Sequence, residues 1–179
     1  RVSLGQSLLQ IRSVIAAESV SRGVVDAGDV ETLFAAQNEL GKAHPNYRFL
    51  IEYDTFPDDE RLLIIAGNEH LLKIAFLNLM DNACKFAVDG TVRIGFSITG
   101  ESINVSFTDN GPGIPDSEQE LIFNPFFRGS NVRASYRGYG IGLSLCLRII
   151  QLHHGNISVK SELLRGSRFN VSFPLHPNA

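Results

Sequence analysis

Apolar and polar positions recur with two different periods along this chain, and the switches between them outline its elements. Val30 to Lys42 repeats with a helical period. Leu72, Phe76, Leu79, Ala83 and Phe86 or Ala87 form an apolar stripe that predicts a long helix over residues 69–87. Val92, Ile94, Phe96 and Ile98 alternate, and after the turn Thr99-Gly100-Glu101 so do Ile103, Val105 and Phe107, the pattern of an antiparallel hairpin with one buried face. Tyr47–Tyr53, Leu62–Ala66, Asn156–Ser161 and Arg168–Phe173 read as further strands. Ile141, Leu145, Ile149 and Leu152 mark a helix closed by Gly155.

The two ends of the chain read differently. Leu4, Leu8, Ile11 and Ile15 follow a 4, 3, 4 spacing, the seam of a packed helix pair, so residues 1–20 read as the end of a longer helix. Ser21 to Gly28 reads as a linker, giving a residual helix and linker over 1–28 and a domain over 29–179. Residues 110–137 carry three glycines, three prolines and Arg128, Arg133 and Arg137 with little periodicity, which suits a lid or binding loop.

Composition is that of an ordinary globular domain: 179 residues, 44% hydrophobic and 20% charged, with no apolar run of bilayer-spanning length. A net charge of −3 offers no general attraction to nucleic acid, so an anionic ligand has to be held in a pocket. Cys84 and Cys146 lie in apolar helical stretches without neighbouring ligands, which predicts buried free thiols and a reducing compartment.

Four stretches carry candidate chemistry. Asn78, Asn82 and Lys85 stand at i, i+4 and i+7, on one face of the predicted helix opposite its apolar stripe. Two carboxamides and an ammonium are poor core material, since burial without partners costs ~1–3 kcal/mol or more for each group, so the stripe faces either water or an anionic or metal-bearing ligand. In Asp109-Asn-Gly-Pro-Gly-Ile-Pro115 a carboxylate at a strand end precedes two glycines that permit close approach; a tight turn alone also explains it. Gly138-Tyr-Gly-Ile-Gly-Leu143 precedes an apolar helix whose N-terminus could cradle a phosphate, although it is neither a Walker loop nor a dinucleotide-binding fingerprint. Ile122 to Ser130 sets three phenylalanines beside Arg128, either as loop packing or as a cationic clamp.

In this order, and together with Gly166 to Phe169, these stretches resemble the ATP-binding catalytic domain of sensor histidine kinases, in the superfamily shared with type II topoisomerases, the heat-shock chaperone ATPase and mismatch-repair ATPases. The resemblance runs from about residue 29 to 175. It implies an α/β sandwich of the Bergerat type, a mixed, largely antiparallel sheet covered on one face by helices, binding ATP and Mg²⁺. It implies that Asn82 ligates the metal, that Asn78 and Lys85 lie near the phosphates, that Asp109 accepts from the adenine amino group and that Phe86 flanks the nucleotide. Arg128 with Arg133 would reach the phosphates from the lid, and Gly111, Gly113, Ile114, Phe123, Gly138, Tyr139, Gly140, Ile141, Gly142, Leu143 and Ser167 would complete the site.

The water-activating branches of the superfamily carry Glu where this chain has Asn78, which takes no proton from water. The resemblance therefore implies transfer to a histidine rather than hydrolysis, with Asn78, Lys85 and Arg128 as the catalytic set. No phospho-accepting histidine stands in its usual context, and the neighbouring His153 and His154 read as helix-end or surface residues. The implied partners are a histidine-bearing dimerisation domain of the same parent, itself a homodimer, and a response regulator, but no nucleic acid. The implied setting is a cytoplasmic domain whose parent is anchored in the inner membrane. A superfamily ATPase, or a degenerate nucleotide-sensing module, is the alternative; Tyr139, where a smaller or polar side chain is usual, is the feature that favours the latter.

Overall fold

The computed structural model describes residues 27–53, 64–130 and 139–175. The seam at Leu4 to Ile15, the first part of the linker, the start of the strand predicted from Leu62, and the lid residues Arg133 and Gly138 lie outside these ranges.

The element order is β1 (Ala27–Asp29), α1 (Val30–Ala43), β2 (Arg48–Tyr53), β3 (Ile64–Ala66), α2 (Glu69–Phe86), β4 (Thr91–Thr99), β5 (Ser102–Thr108), α3 (Gly142–Leu152), β6 (Asn156–Glu162) and β7 (Gly166–Pro174). Short 3-10 turns at Asp116–Glu118 and Leu121–Phe123 interrupt the loop after β5. Five strands form one sheet in the order β2-β4-β5-β7-β6. Only β2 runs parallel to its neighbour, pairing Arg48 with Thr91 and Tyr53 with Phe96, so the sheet is mixed and largely antiparallel. β3 does not join this sheet. It pairs antiparallel with β1, which draws Ala27 and Gly28, read above as linker, into the fold.

One face of the sheet carries the core. Val92, Ile94, Ile103, Val105, Phe107, Phe169, Val171 and Phe173 turn towards the helices and are buried, while the alternating positions stay on the open face. From α2 the core takes Leu72, Ala75, Phe76, Leu79, Met80, Ala83 and Cys84, two neighbouring rows of one helix face. Phe76 is central, with ring centroids 6.2 Å from Phe107 and 6.5 Å from Phe173. Burying one such ring favours folding by ~1.5–3 kcal/mol.

Helix α3 departs from the sequence expectation. Ile149 is buried, but Ile141, Leu145 and Leu152 are exposed, and Cys146 and Ile150 are buried in their place. Adjacent apolar rows made two faces of this helix equally plausible, and packing against α2 and the sheet selects the second row.

His153 joins α2 to α3. It is buried, its Nε2 accepts from the Asn68 backbone N–H at 2.9 Å, and its Nδ1 lies 2.6 Å from the Ile149 carbonyl, so the ring carries its proton on Nδ1. Asn68 in turn caps α2, its side chain accepting from Leu71 N–H at 3.0 Å. The helix-end reading of His153 therefore holds and the surface reading does not; His154 is the exposed member of the pair.

Candidate functional site

A cleft of about 370 Å³ opens between the polar face of α2, the loop after β5 and the first turn of α3. Helical geometry brings Asn78, Asn82 and Lys85 to its wall because the apolar stripe on the opposite side of α2 fixes the helix against the sheet. Asp81 joins them, a residue that the i, i+4, i+7 pattern passed over. Its Oδ1 accepts from the Tyr47 hydroxyl at 3.1 Å, and Tyr47 stacks on His44 at 4.6 Å. Burial, then the charge of Asp81, pushes the Tyr47 hydroxyl up to about 12, so it remains a donor.

Asn78 is oriented within the wall. Its Nδ2 donates to the Ile74 carbonyl at 2.8 Å, which leaves Oδ1 facing the start of α3. A Cβ on Gly142 would come within 2.9 Å of that oxygen, so glycine lets the α3 N-terminus approach the carboxamide. The Lys85 ammonium sits 5.8 Å from the centre of the Phe86 ring, and both side chains line the cleft.

At the sheet end, Asp109 is buried at 7% exposure. Its Oδ1 accepts from Gly111 N–H at 2.8 Å and Ser167 N–H at 3.2 Å. Burial raises its carboxyl above the ordinary aspartate range and these two backbone donors partly offset that. Among the described residues Oδ2 has no donor, so this oxygen is available to a ligand. Ser167 is held by a hydroxyl pair with Ser161 at 2.9 Å, and Ser161 Oγ also accepts from Ile114 N–H at 2.8 Å and donates to the Gly166 carbonyl at 2.8 Å. Register explains the pair, since Ser161 stands directly opposite Ser167 across β6 and β7.

Ile114, Gly113, Tyr139, Gly140, Ile141, Leu143 and Arg128, all named from the sequence, also line the cleft. Arg128 is exposed, and the Tyr139 ring is 88% exposed at the rim. The described ends of the lid are pinned together: Phe126 N–H donates to the Gly140 carbonyl at 2.8 Å, and Gly140, at φ 70, passes close under Phe126 and Phe127. Two expected residues are not in the wall. Gly111 instead supplies its N–H to Asp109, and Phe123 packs edge-on against Phe169 at 6.5 Å, leaving the lining role to Phe127, Ile122 and Phe169. Three phenylalanines within five positions, Phe123, Phe126 and Phe127, gave no local way to rank them.

The comparisons with known proteins agree with this geometry. Residues 67–177 match the family model described as histidine kinase-, DNA gyrase B- and HSP90-like ATPase. The chain belongs to this family. It is a histidine-kinase-type ATPase domain in fold. The chain is 42% identical over 128 residues to the adaptive-response sensory kinase SasA of Synechocystis sp., covering 70% of this chain and 32% of that protein. It is 33% identical over 175 residues to SasA of Prochlorococcus marinus MIT 9303, covering 96% and 46%. The chain thus spans less than half the length of these curated relatives. The mycobacterial sensor histidine kinase MprB shares the fold, with a TM-score of 0.73 at 24% identity over 85% of this chain and 99% of that one. Full-length ShkA, in complex with AMPPNP, superposes with a TM-score of 0.67 at 24% identity, over 98% of this chain and 37% of that one.

Proposed function

We propose that this ATPase domain binds ATP with Mg²⁺ in the cleft and serves as the kinase half of a two-component sensor. The γ-phosphoryl passes to a histidine on a dimerisation domain of the same parent protein, from which a response regulator takes it. The observation that carries this reading is the segregation of chemistry within one cleft. A fixed carboxylate with an open oxygen, Asp109, stands at the sheet end, the carboxamides of Asn78 and Asn82 stand by Gly142 at the α3 N-terminus, and Lys85 and Arg128 line the same cleft. The first end suits a purine amino group, and the second a polyphosphate.

The donor set fits Mg²⁺. Among the described residues no three His, Cys, Asp or Glu side chains gather as a metal cage. Mg²⁺ takes few protein oxygens and fills its shell with phosphates and water, so a single carboxamide oxygen from Asn82 suffices. Bound there, it would neutralise charge on the phosphates. The chain's own residues do the rest: Asp109 orients the base, Phe86 and Phe127 exclude water, and Lys85 and Arg128 balance charge at the transferring group. None of the described histidines lines the cleft, which supports a phospho-acceptor on another domain.

Asp81 favours a second reading. It is a carboxylate in the cleft wall, and a carboxylate is what an ATPase needs to activate water. Its Oδ1 is occupied by Tyr47, which weighs against that role.

Calorimetric titration with a nonhydrolysable ATP analogue tests the main reading. Binding should be metal-dependent, and Asn82→Ala should remove the metal-dependent gain; affinity that ignores both would overturn it. Steady phosphate release from ATP, lost in Asp81→Asn, would replace kinase with ATPase.

A further inference from the structure

Across β4 to β7 the open face is mostly small and neutral: Ser158, Asn170, Ser106 and Gly95 form one cross-strand row, which ends at Glu52 on β2, and Asn156, Ser172, Asn104 and Ser97 form the next. The row nearest the cleft differs. Lys160 on β6 stands directly opposite Arg168 on β7, Arg168 opposite Thr108 on β5, and Thr108 opposite Arg93 on β4. Three cations therefore share one line across four strands that are spaced about 4.8 Å apart. Like charges directly opposite each other in a sheet destabilise it.

Among the described residues no ion pair compensates the Lys160 and Arg168 pair. Arg168 gives its Nε to Asn170 Oδ1 at 3.1 Å and an Nη to Ser106 Oγ at 3.2 Å, both neutral acceptors that hold the guanidinium in place. Lys160 makes no ion pair among the described residues. The adjacent carboxylate, Glu162, is taken by Arg165 at 3.1 Å, and Arg93 at the far end of the row leans on Glu52 at 3.5 Å. Thr108, Lys160, Arg165 and Arg168, with the Arg165-paired Glu162, line a shallow depression of about 380 Å³ that shares Asp109 and Ser167 with the cleft described above.

We infer that this row is a docking surface for a carboxylate-rich protein surface. The complementarity is local, because the chain as a whole carries a net charge of −3. A long polyanion such as nucleic acid would gain at the row and be repelled beyond it. The flat field of serine and asparagine next to the cations offers donors and acceptors to the backbone and side chains of a protein partner instead. A partner seated here touches β7 on the side away from the nucleotide, behind Ser167. This site stands independently of what the cleft binds.

The test uses the whole ¹⁵N-labelled chain titrated with a short glutamate-rich peptide at low salt. Amide shifts should localise to Thr108, Lys160, Arg168 and their neighbours. The double variant Lys160→Gln, Arg168→Gln should bind the peptide about tenfold more weakly, while its nucleotide affinity is unchanged and its thermal midpoint equals or exceeds that of the parent. Three results would overturn the proposal: shifts scattered over the surface, shifts that persist in the double variant, or the same shifts produced at lower concentration by inorganic phosphate or a thymidine oligonucleotide. Lys160→Ser, Arg168→Ser repeats the experiment if the glutamine pair perturbs the fold.

Discussion

If Asp109 receives the nucleotide base as proposed, Asp109→Asn separates ligand recognition from stability, because the two oxygens of this carboxylate then have different tasks. Oδ1 holds Gly111 and Ser167 N–H groups at 2.8 and 3.2 Å, and an asparagine carbonyl oxygen accepts the same two bonds. The other oxygen becomes an NH₂ group that meets a purine amino group donor to donor. A hydrogen bond to a charged acceptor is worth ~1.5–3 kcal/mol and an opposed buried donor costs ~1–3 more, so nucleotide affinity should fall at least ~100-fold. Stability should not fall with it. Burial raises the folded carboxyl above its unfolded value, so the protonated form is the one favoured by folding. Its contribution is complete below the unfolded value and is lost as pH rises through the folded one, which means the ionised group is held at a cost at neutral pH. The neutral isostere should therefore unfold in urea at an equal or higher midpoint than the parent at pH 7, and should flatten the acid limb of the stability curve. A variant that loses stability while keeping nucleotide affinity would refute this division of labour.

Cys84 and Cys146 are buried, and burial pushes both thiols up to about 12, so neither should react with a disulfide reagent until the chain is unfolded. By the same sign rule, stability should fall as pH rises past about 8.5, where unfolded thiols ionise and the folded ones do not; a flat alkaline limb in urea melts would contradict this. His153→Ala orphans the Asn68 N–H and leaves a void between α2 and α3, which should cost ~2–4 kcal/mol in urea unfolding. Arg128→Ala should slow phosphoryl transfer to a separately supplied dimerisation domain roughly tenfold or more while changing nucleotide affinity little; an equal loss in both would remove the clamp role.

How much of this was legible in the sequence depended on whether the deciding information was local. A helical period needs only neighbours, so the polar stripe of α2 and the face it turns to the cleft could be read from Asn78, Asn82 and Lys85 against Leu72, Phe76 and Leu79. Alternation likewise gave the β4–β5 hairpin. Information that arises between distant segments could not be read this way. The pairing of β1 with β3 rests on Ala27 meeting Ala66, 39 positions along the chain, and two short strands carry too few side chains to announce a partner. Tyr47 reaches Asp81, and His153 reaches Asn68, across separations of 34 and 85 residues, each linking polar groups whose sequence neighbours give no reason for the contact. Helix α3 is intermediate. Its period was right, but two adjacent apolar rows fit it, and only packing on α2 and the sheet decided that Cys146 and Ile150 go inward while Leu145 and Leu152 do not. The same logic separates the phenylalanines. Phe123 is committed to Phe169 at the sheet, a pairing that the local sequence of Phe123, Phe126 and Phe127 does not reveal, and Phe127 rather than Phe123 lines the cleft.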